Sequence, residues 1–231
     1  MPGVAKPRQR HLQGQKQYRI IPSRFPPIPL FERLVDADEL EIAYAIESLT
    51  NDRLQAEAGN LYLLEKSDWV SGPGASVVMA AFTHVGQPSR FSAGVYGVYY
   101  AGLDEETAIR ETVFHTERRL RETDEPPIDV EMRCYVGTIA MPFDDIRGDA
   151  YARFRDPDLA TWPRCQVFAS TRRQAGANGL LYRSARHLDG RCIAAFTTRA
   201  VSRPRQGKHF QYCWDGDRIA QYREIRAVHQ L

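Results

Sequence analysis

Cysteine is scarce in this 231-residue chain, and it is not clustered: Cys134, Cys165, Cys192 and Cys213 stand far apart and form no Cys-x-x-Cys pair. A disulfide framework or a thiolate zinc site is therefore not expected, and reduced thiols in a cytoplasmic protein are. Long apolar runs are missing too. Stretches such as Ala75 to Phe82 are far shorter than the ~20 residues a membrane helix needs. The first residues are polar, with Lys6, Arg8, Arg10 and Lys16 and no apolar centre, which is not the pattern of a secretory signal. Neither sign of charge predominates. With 31 basic and 29 acidic residues the net charge is +2, so no general pull towards nucleic acid or an anionic membrane is expected. His-Glu-x-x-His, Gly-x-Ser-x-Gly and Gly-x-Gly-x-x-Gly are all absent, and the six histidines are scattered. Metal catalysis, a serine-hydrolase nucleophile and a Rossmann cofactor site lose their usual signatures with them.

What is present suffices for one large domain: 43% of residues are hydrophobic and 10% aromatic. Residues 1–16 read as a disordered basic arm, and 17–231 as a single domain with an insertion at about 30–85. Tyr18 to Ile21 reads as a strand, followed by a segment that Pro22, Pro26, Pro27 and Pro29 keep irregular. Asp36 caps an expected helix to Leu49, and a second short helix is expected over 51–58, ended by Gly59. Ala75 to Phe82 is helix or buried strand. Val95 to Tyr100 reads as a strand. Asp104 caps a helix to about Arg121, on which Ala108, Glu111 and His115 share a face. Strands are expected at Val130 to Ala140, Gly179 to Tyr182 and Cys192 to Phe196, and a helix at Pro163 to Gln174. A hairpin is expected from His209 to Glu224 around Asp215-Gly216. Helices and strands are mixed, which predicts an α+β fold on a small, mainly antiparallel sheet.

Three residue types in order carry chemistry. Arg90 lies in a turn beside Gly94; Tyr99 and Tyr100 follow on the strand; Glu111 follows on the helix. A guanidinium matches two phosphate oxygens at once. The two tyrosines point to opposite faces, one towards the core and one free to meet a flat ring, and the pattern alone does not say which. A cation, an aromatic surface and a carboxylate are the parts needed to hold a dinucleotide and break a glycosidic bond. Each has an ordinary alternative: a surface arginine, a core tyrosine, and a Glu111–His115 helix pair. Ser184 reads as a strand-end cap, and Arg183 with Arg186 as a weak basic patch.

In these motifs the chain resembles the RES-domain family, the toxin component of Xre–RES toxin–antitoxin pairs in bacteria. The resemblance rests on Tyr18-Arg19, Arg90-Phe91-Ser92, Tyr99 or Tyr100, Glu106-Thr107-Ala108-Ile109-Arg110-Glu111, and Gly179-Leu180-Leu181-Tyr182-Arg183-Ser184, and spans roughly 17–198. Ser92 stands where Asn is common, Arg183 where Pro is frequent, and Arg19 and Arg90 are further apart than in compact members.

The resemblance implies a fold like the diphtheria-toxin type of ADP-ribosyltransferase. It also implies NAD as substrate, cleaved at the nicotinamide–ribose bond by phosphorolysis or hydrolysis with inorganic phosphate as a possible co-substrate, and no catalytic cofactor or metal. In this reading Glu111, Tyr100 and Arg90 are catalytic, and Arg19, Tyr99 and Ser184 bind NAD. The implied partner is a helical, DNA-binding Xre-type antitoxin, in a homodimer or a hetero-oligomer with it. A protein ADP-ribosyltransferase is the rival enzyme. A non-enzymatic nucleic-acid or protein-binding module is the rival of another class, with the basic arm and Arg199, Arg203 and Arg205 in its favour.

Overall fold

The computed structural model describes residues 6–33, 35–50 and 58–226. Among them nine strands form one sheet, in the order β1-β5-β6-β7-β3-β2-β4-β8-β9. The strands are β1 (Arg8–Arg10), β2 (Lys16–Pro22), β3 (Tyr99–Gly102), β4 (Ile128–Thr138), β5 (Phe143–Asp145), β6 (Gly179–Arg183), β7 (Arg191–Ala195), β8 (Arg205–Trp214) and β9 (Ile219–Ile225). Every neighbouring pair is antiparallel except β5–β6. The class is α+β as expected, but the sheet is not small. Two three-residue strands, β1 and β5, extend it on one side, and strands that short leave no alternating pattern to read. The arm expected to be disordered is part of this extension: Arg8 to Arg10 pair with Phe143 to Asp145. Backbone hydrogen bonds to a neighbouring edge order Arg8 to Arg10, which carry no apolar side chains, and Leu12 packs against the core beyond them.

Helices α1 (Pro29–Glu32), α2 (Ala37–Thr50) and α3 (Ala75–Thr83) precede β3; α4 (Glu105–Glu122) follows it, and α5 (Trp162–Gln174) precedes β6. The expected capping residues are in place. Asp36 Oδ1 accepts the N–H groups of Asp38 and Glu39 at the start of α2. Asp104 accepts from Thr107 N at 2.7 Å and Thr107 Oγ1 at 2.8 Å at the start of α4. The short helix expected over 51–58 lies outside the described residues but for its end, Ala58. Residues 28–79 have a core of their own around Phe31, Leu40, Leu61 and Met79.

The two sheet faces are covered differently. Val77, Val78 and Phe82 of α3 pack with Tyr99, Leu181 and Ile193 on one face. On the other, Phe168 of α5 packs with Leu180 and Tyr182, and Ile109 and Leu120 of α4 pack with Met132 and Phe210. The strand expected from Val95 begins only at Tyr99. Ser92 Oγ donates to Tyr96 O at 2.6 Å and accepts from Gly94 N at 3.1 Å, and Gly94 sits at φ +91°, so a turn occupies that stretch. At Gly102 a Cβ would lie 2.7 Å from Ala108 N and 2.9 Å from Asp104 O. The missing side chain lets β3 run directly into the first turn of α4.

Candidate active site

Three elements meet beyond the middle of the sheet. Strands β2 and β3 pair only at Tyr18↔Gly102, so the sheet is loosely closed there. Helix α4, fixed at its start by Asp104, turns Ala108, Glu111, Thr112, His115 and Arg118 towards this opening, the i, i+3, i+4, i+7, i+10 face of one helix. The end of the β6–β7 hairpin and the 88–90 turn close it from the sides. The result is a cleft of about 290 Å³.

Glu111 has a definite partner. Its Oε1 accepts a 2.5 Å hydrogen bond from Ser184 Oγ and a 3.3 Å contact from Ala185 N. Ser184 Oγ in turn accepts from Arg186 N at 3.0 Å and His187 N at 2.9 Å. A hydroxyl has one proton to give and two lone pairs to fill. All three are engaged, so Ser184 orients the carboxylate. The Glu111–His115 pair weighed from spacing is replaced by this longer-range contact.

Arg90 is not a surface arginine: it is 9% exposed, and its Nη1 donates to Phe154 O at 3.1 Å and Asp156 O at 2.9 Å. Arg90 also borders the cleft. The tyrosines separate as a strand requires. Tyr100 lines the cleft, its hydroxyl bonded to Ser89 Oγ at 2.8 Å and accepting from Phe91 N at 3.0 Å; burial raises its pKa above the ordinary tyrosine value. Tyr99, expected to touch substrate, is fully buried on the opposite face and donates to Gln17 Oε1 at 3.1 Å. It serves as a shelf instead: the Arg19 guanidinium lies 4.6 Å from its ring centroid. Arg19 Nη1 donates to Tyr100 O of β3 at 2.9 Å, while its Nε is buried with no hydrogen-bond partner among the described residues. Burial lowers the Arg19 pKa, against the opposing influence of Tyr99 and Tyr100. Arg19 also borders a second, more apolar hollow of about 580 Å³ walled by Ile21, Phe25, Pro26 and Val77.

Four arginines line the cleft, Arg19, Arg90, Arg118 and Arg186, against the single carboxylate of Glu111. Arg186, expected as part of a weak basic patch, lies 3.3 Å over the Phe114 ring and donates to Pro157 O at 2.7 Å. Arg118 and Trp162 also line the cleft; no sequence motif marks Trp162, whereas Arg118 follows Glu111 at i+7 on the same helix face. His115 is reached by solvent through the cleft. Desolvation by the surrounding walls first, then Arg118, Arg186 and Arg90, hold its pKa down to about 4, so the ring is neutral at pH 7. Cys192 also lines the cleft, and burial raises its pKa well above the ordinary thiol value, which keeps it a poor nucleophile. All four cysteines are free. No helix among the described residues is long and apolar enough to cross a membrane.

A family model described as RES domain matches residues 61–215. The segment takes in Arg90, Tyr100, Glu111 and Ser184 and leaves Arg19 outside. An uncharacterized protein, y4oC of Sinorhizobium fredii (strain NBRC 101917 / NGR234), is 31% identical over 204 residues, 88% of this chain and 84% of that protein. A chain from the crystal structure of the M. tuberculosis MbcT–MbcA toxin–antitoxin complex aligns with 59% of this chain and 71% of its own at 10% identity, with a TM-score of 0.36, a likeness too slight to argue from. The family match covers more than half of the residues and contains the carboxylate, its serine and the buried arginine of the cleft, and by that measure the chain belongs to the RES-domain family.

Proposed function

We propose that this protein binds NAD in the cleft and breaks its nicotinamide–ribose bond, and that it acts as the toxin of a toxin–antitoxin pair. The observation that carries the reading is the Glu111 carboxylate, held by Ser184 and Ala185 in a cleft whose other charged lining residues are four arginines. The α+β sheet, in which β2 and β3 pair at a single position, is compatible with the diphtheria-toxin type of ADP-ribosyltransferase arrangement that the family resemblance implies.

In this mechanism the pyrophosphate lies against Arg19, which borders both the cleft and the more apolar hollow beside it. A dinucleotide laid across Arg19 would put one half in each. Tyr100 packs against the nicotinamide or its ribose. Arg90 holds the wall formed by residues 154–156 and adds positive potential. Glu111 accepts a hydrogen bond from a ribose hydroxyl and faces the positive charge that builds on the sugar as the C1′–N bond breaks and neutral nicotinamide leaves with the electron pair. An oxygen of phosphate, or of a water that gives up a proton to solvent, then bonds to C1′. The excess of arginines favours an anionic acceptor, which supports phosphorolysis over hydrolysis. The same cations would receive an acidic or C-terminal carboxylate from an antitoxin that plugs the cleft; a helical, DNA-binding Xre-type protein is the proposed partner, in a hetero-oligomer.

The test is to incubate purified, antitoxin-free protein with NAD, with and without inorganic phosphate, and to identify the products by mass spectrometry. Nicotinamide with a phosphorylated ADP-ribose is expected in phosphate, and nicotinamide with ADP-ribose in its absence. ADP-ribose attached to a protein would move the reading to the transferase. Intact NAD under every condition would end it.

A further inference from the structure

The hairpin that carries Ser184 lines a second concavity on its other face. Along β6 and β7 the cross-strand pairs Tyr182↔Cys192 and Arg183↔Arg191 follow one another. Successive strand residues point to opposite faces. Tyr182 and Cys192 line the cleft, whereas Arg183 and Arg191 line a separate recess of about 740 Å³. That recess lies at the end of the sheet where β1 and β5 extend it, and Lys6 and Arg8 complete its basic wall.

Its charges are not balanced from within. Arg147 is committed to Asp145 through two hydrogen bonds of 2.9 and 2.7 Å. Asp189 is the one other carboxylate in the lining. The side chains of Lys6, Arg8, Arg183 and Arg191 make no hydrogen bond or ion pair with the described residues. Arg183 and Arg191 are directly opposite in the ladder. Like charges in that position destabilise a sheet, and an anion between them turns repulsion into charge-assisted hydrogen bonds. Guanidinium forks suit phosphate, whose oxygens they meet in pairs.

We propose that this recess is a second anion site, on the far side of the Ser184 hairpin from the cleft, that takes a compact phosphate-bearing small molecule. It goes beyond the NAD reading and does not rest on it. Compactness follows from the distribution of charge: the cations converge on one concavity in a chain whose net charge is only +2, whereas long nucleic acids are held by cations spread along a surface.

The probe is inorganic pyrophosphate, followed by calorimetry and by thermal melting. Because the cleft also holds arginines, two classes of site are expected in the wild-type protein. R183A/R191A should lose one class, its affinity falling about tenfold or more, the scale of a lost charge-assisted bond. R223A, on the edge strand β9, should keep both classes. R183E faces Arg191 with an opposite charge, so it should melt no lower than wild type without ligand yet lose the stabilisation that pyrophosphate gives through this site. Unchanged binding in R183A/R191A and R183E, or no pyrophosphate binding by the wild type, would overturn the proposal. So would a short single-stranded oligonucleotide that displaces pyrophosphate from the recess and binds more tightly.

Discussion

Glu111 on helix α4 and Ser184 at the end of β6, 73 residues apart in the chain, meet through a 2.5 Å hydrogen bond. The serine hydroxyl is saturated by that contact and by two backbone N–H groups, so the carboxylate is fixed before any ligand arrives. Preorganisation of this kind is what an electrostatic stabiliser requires.

Glu111→Gln keeps size and hydrogen-bonding capacity but removes the charge. Turnover of NAD should fall by roughly 10²–10³-fold, with the melting temperature nearly unchanged. Ser184→Ala should cost less activity, because Ala185 N still holds the carboxylate. It should cost about 1 kcal/mol of stability from the N–H groups of Arg186 and His187 left without their acceptor. Steady-state kinetics and melting of the two variants separate the roles; wild-type turnover in Glu111→Gln would remove Glu111 from the chemistry.

Tyr99→Phe and Tyr100→Phe should differ in kind. The first strips a hydroxyl from the buried bond to Gln17 and should lower stability by about 1 kcal/mol with little change in KM. The second releases Ser89 Oγ and Phe91 N at the rim of the cleft and should raise KM for NAD. Equal effects on KM would contradict the assignment of faces.

Arg90→Lys retains charge but cannot hold two carbonyls and face the cleft with one planar group. It should weaken NAD binding and lower the melting temperature together, since Phe154 O and Asp156 O lose their donor. The exposed control Arg223→Lys should do neither.

Desolvation first, then Arg118, Arg186 and Arg90, push the His115 pKa from its ordinary value of 6.5 down to about 4. The unfolded chain therefore binds the extra proton first as pH falls. The contribution of neutral His115 to stability is complete above pH 6.5 and is lost as pH drops through 4. Melting temperature should decline more steeply over that window in wild type than in His115→Gln. The His115 ring signals in an NMR titration should show no inflexion near pH 6.5.

Overexpressed in a host lacking the partner, the wild-type protein should arrest growth and deplete NAD, and Glu111→Ala should do neither while still binding the partner. Harmless wild-type expression with normal NAD levels would contradict the toxin reading.

Much of this site can be read from the chain alone. The Asp104 cap and the 3.6-residue period place Glu111 and Ala108 on one face because both are local rules of a helix. The Asp215-Gly216 hairpin and the strand before Ser184 follow from equally local turn and strand chemistry. Alternation along β3 separates Tyr99 from Tyr100 but does not say which one faces α3, because that depends on what packs against the sheet. The burial of Arg90 depends on carbonyls 64 and 66 residues away, and the Glu111–Ser184 bond on the meeting of a helix and a hairpin. The sheet reaches nine strands only through β1 and β5, whose three residues each become strands by pairing with neighbours. Local geometry was determined by neighbours in the sequence; the partners of the charged groups were decided by the tertiary fold, since a buried charge must find its hydrogen bonds wherever the packed chain supplies them.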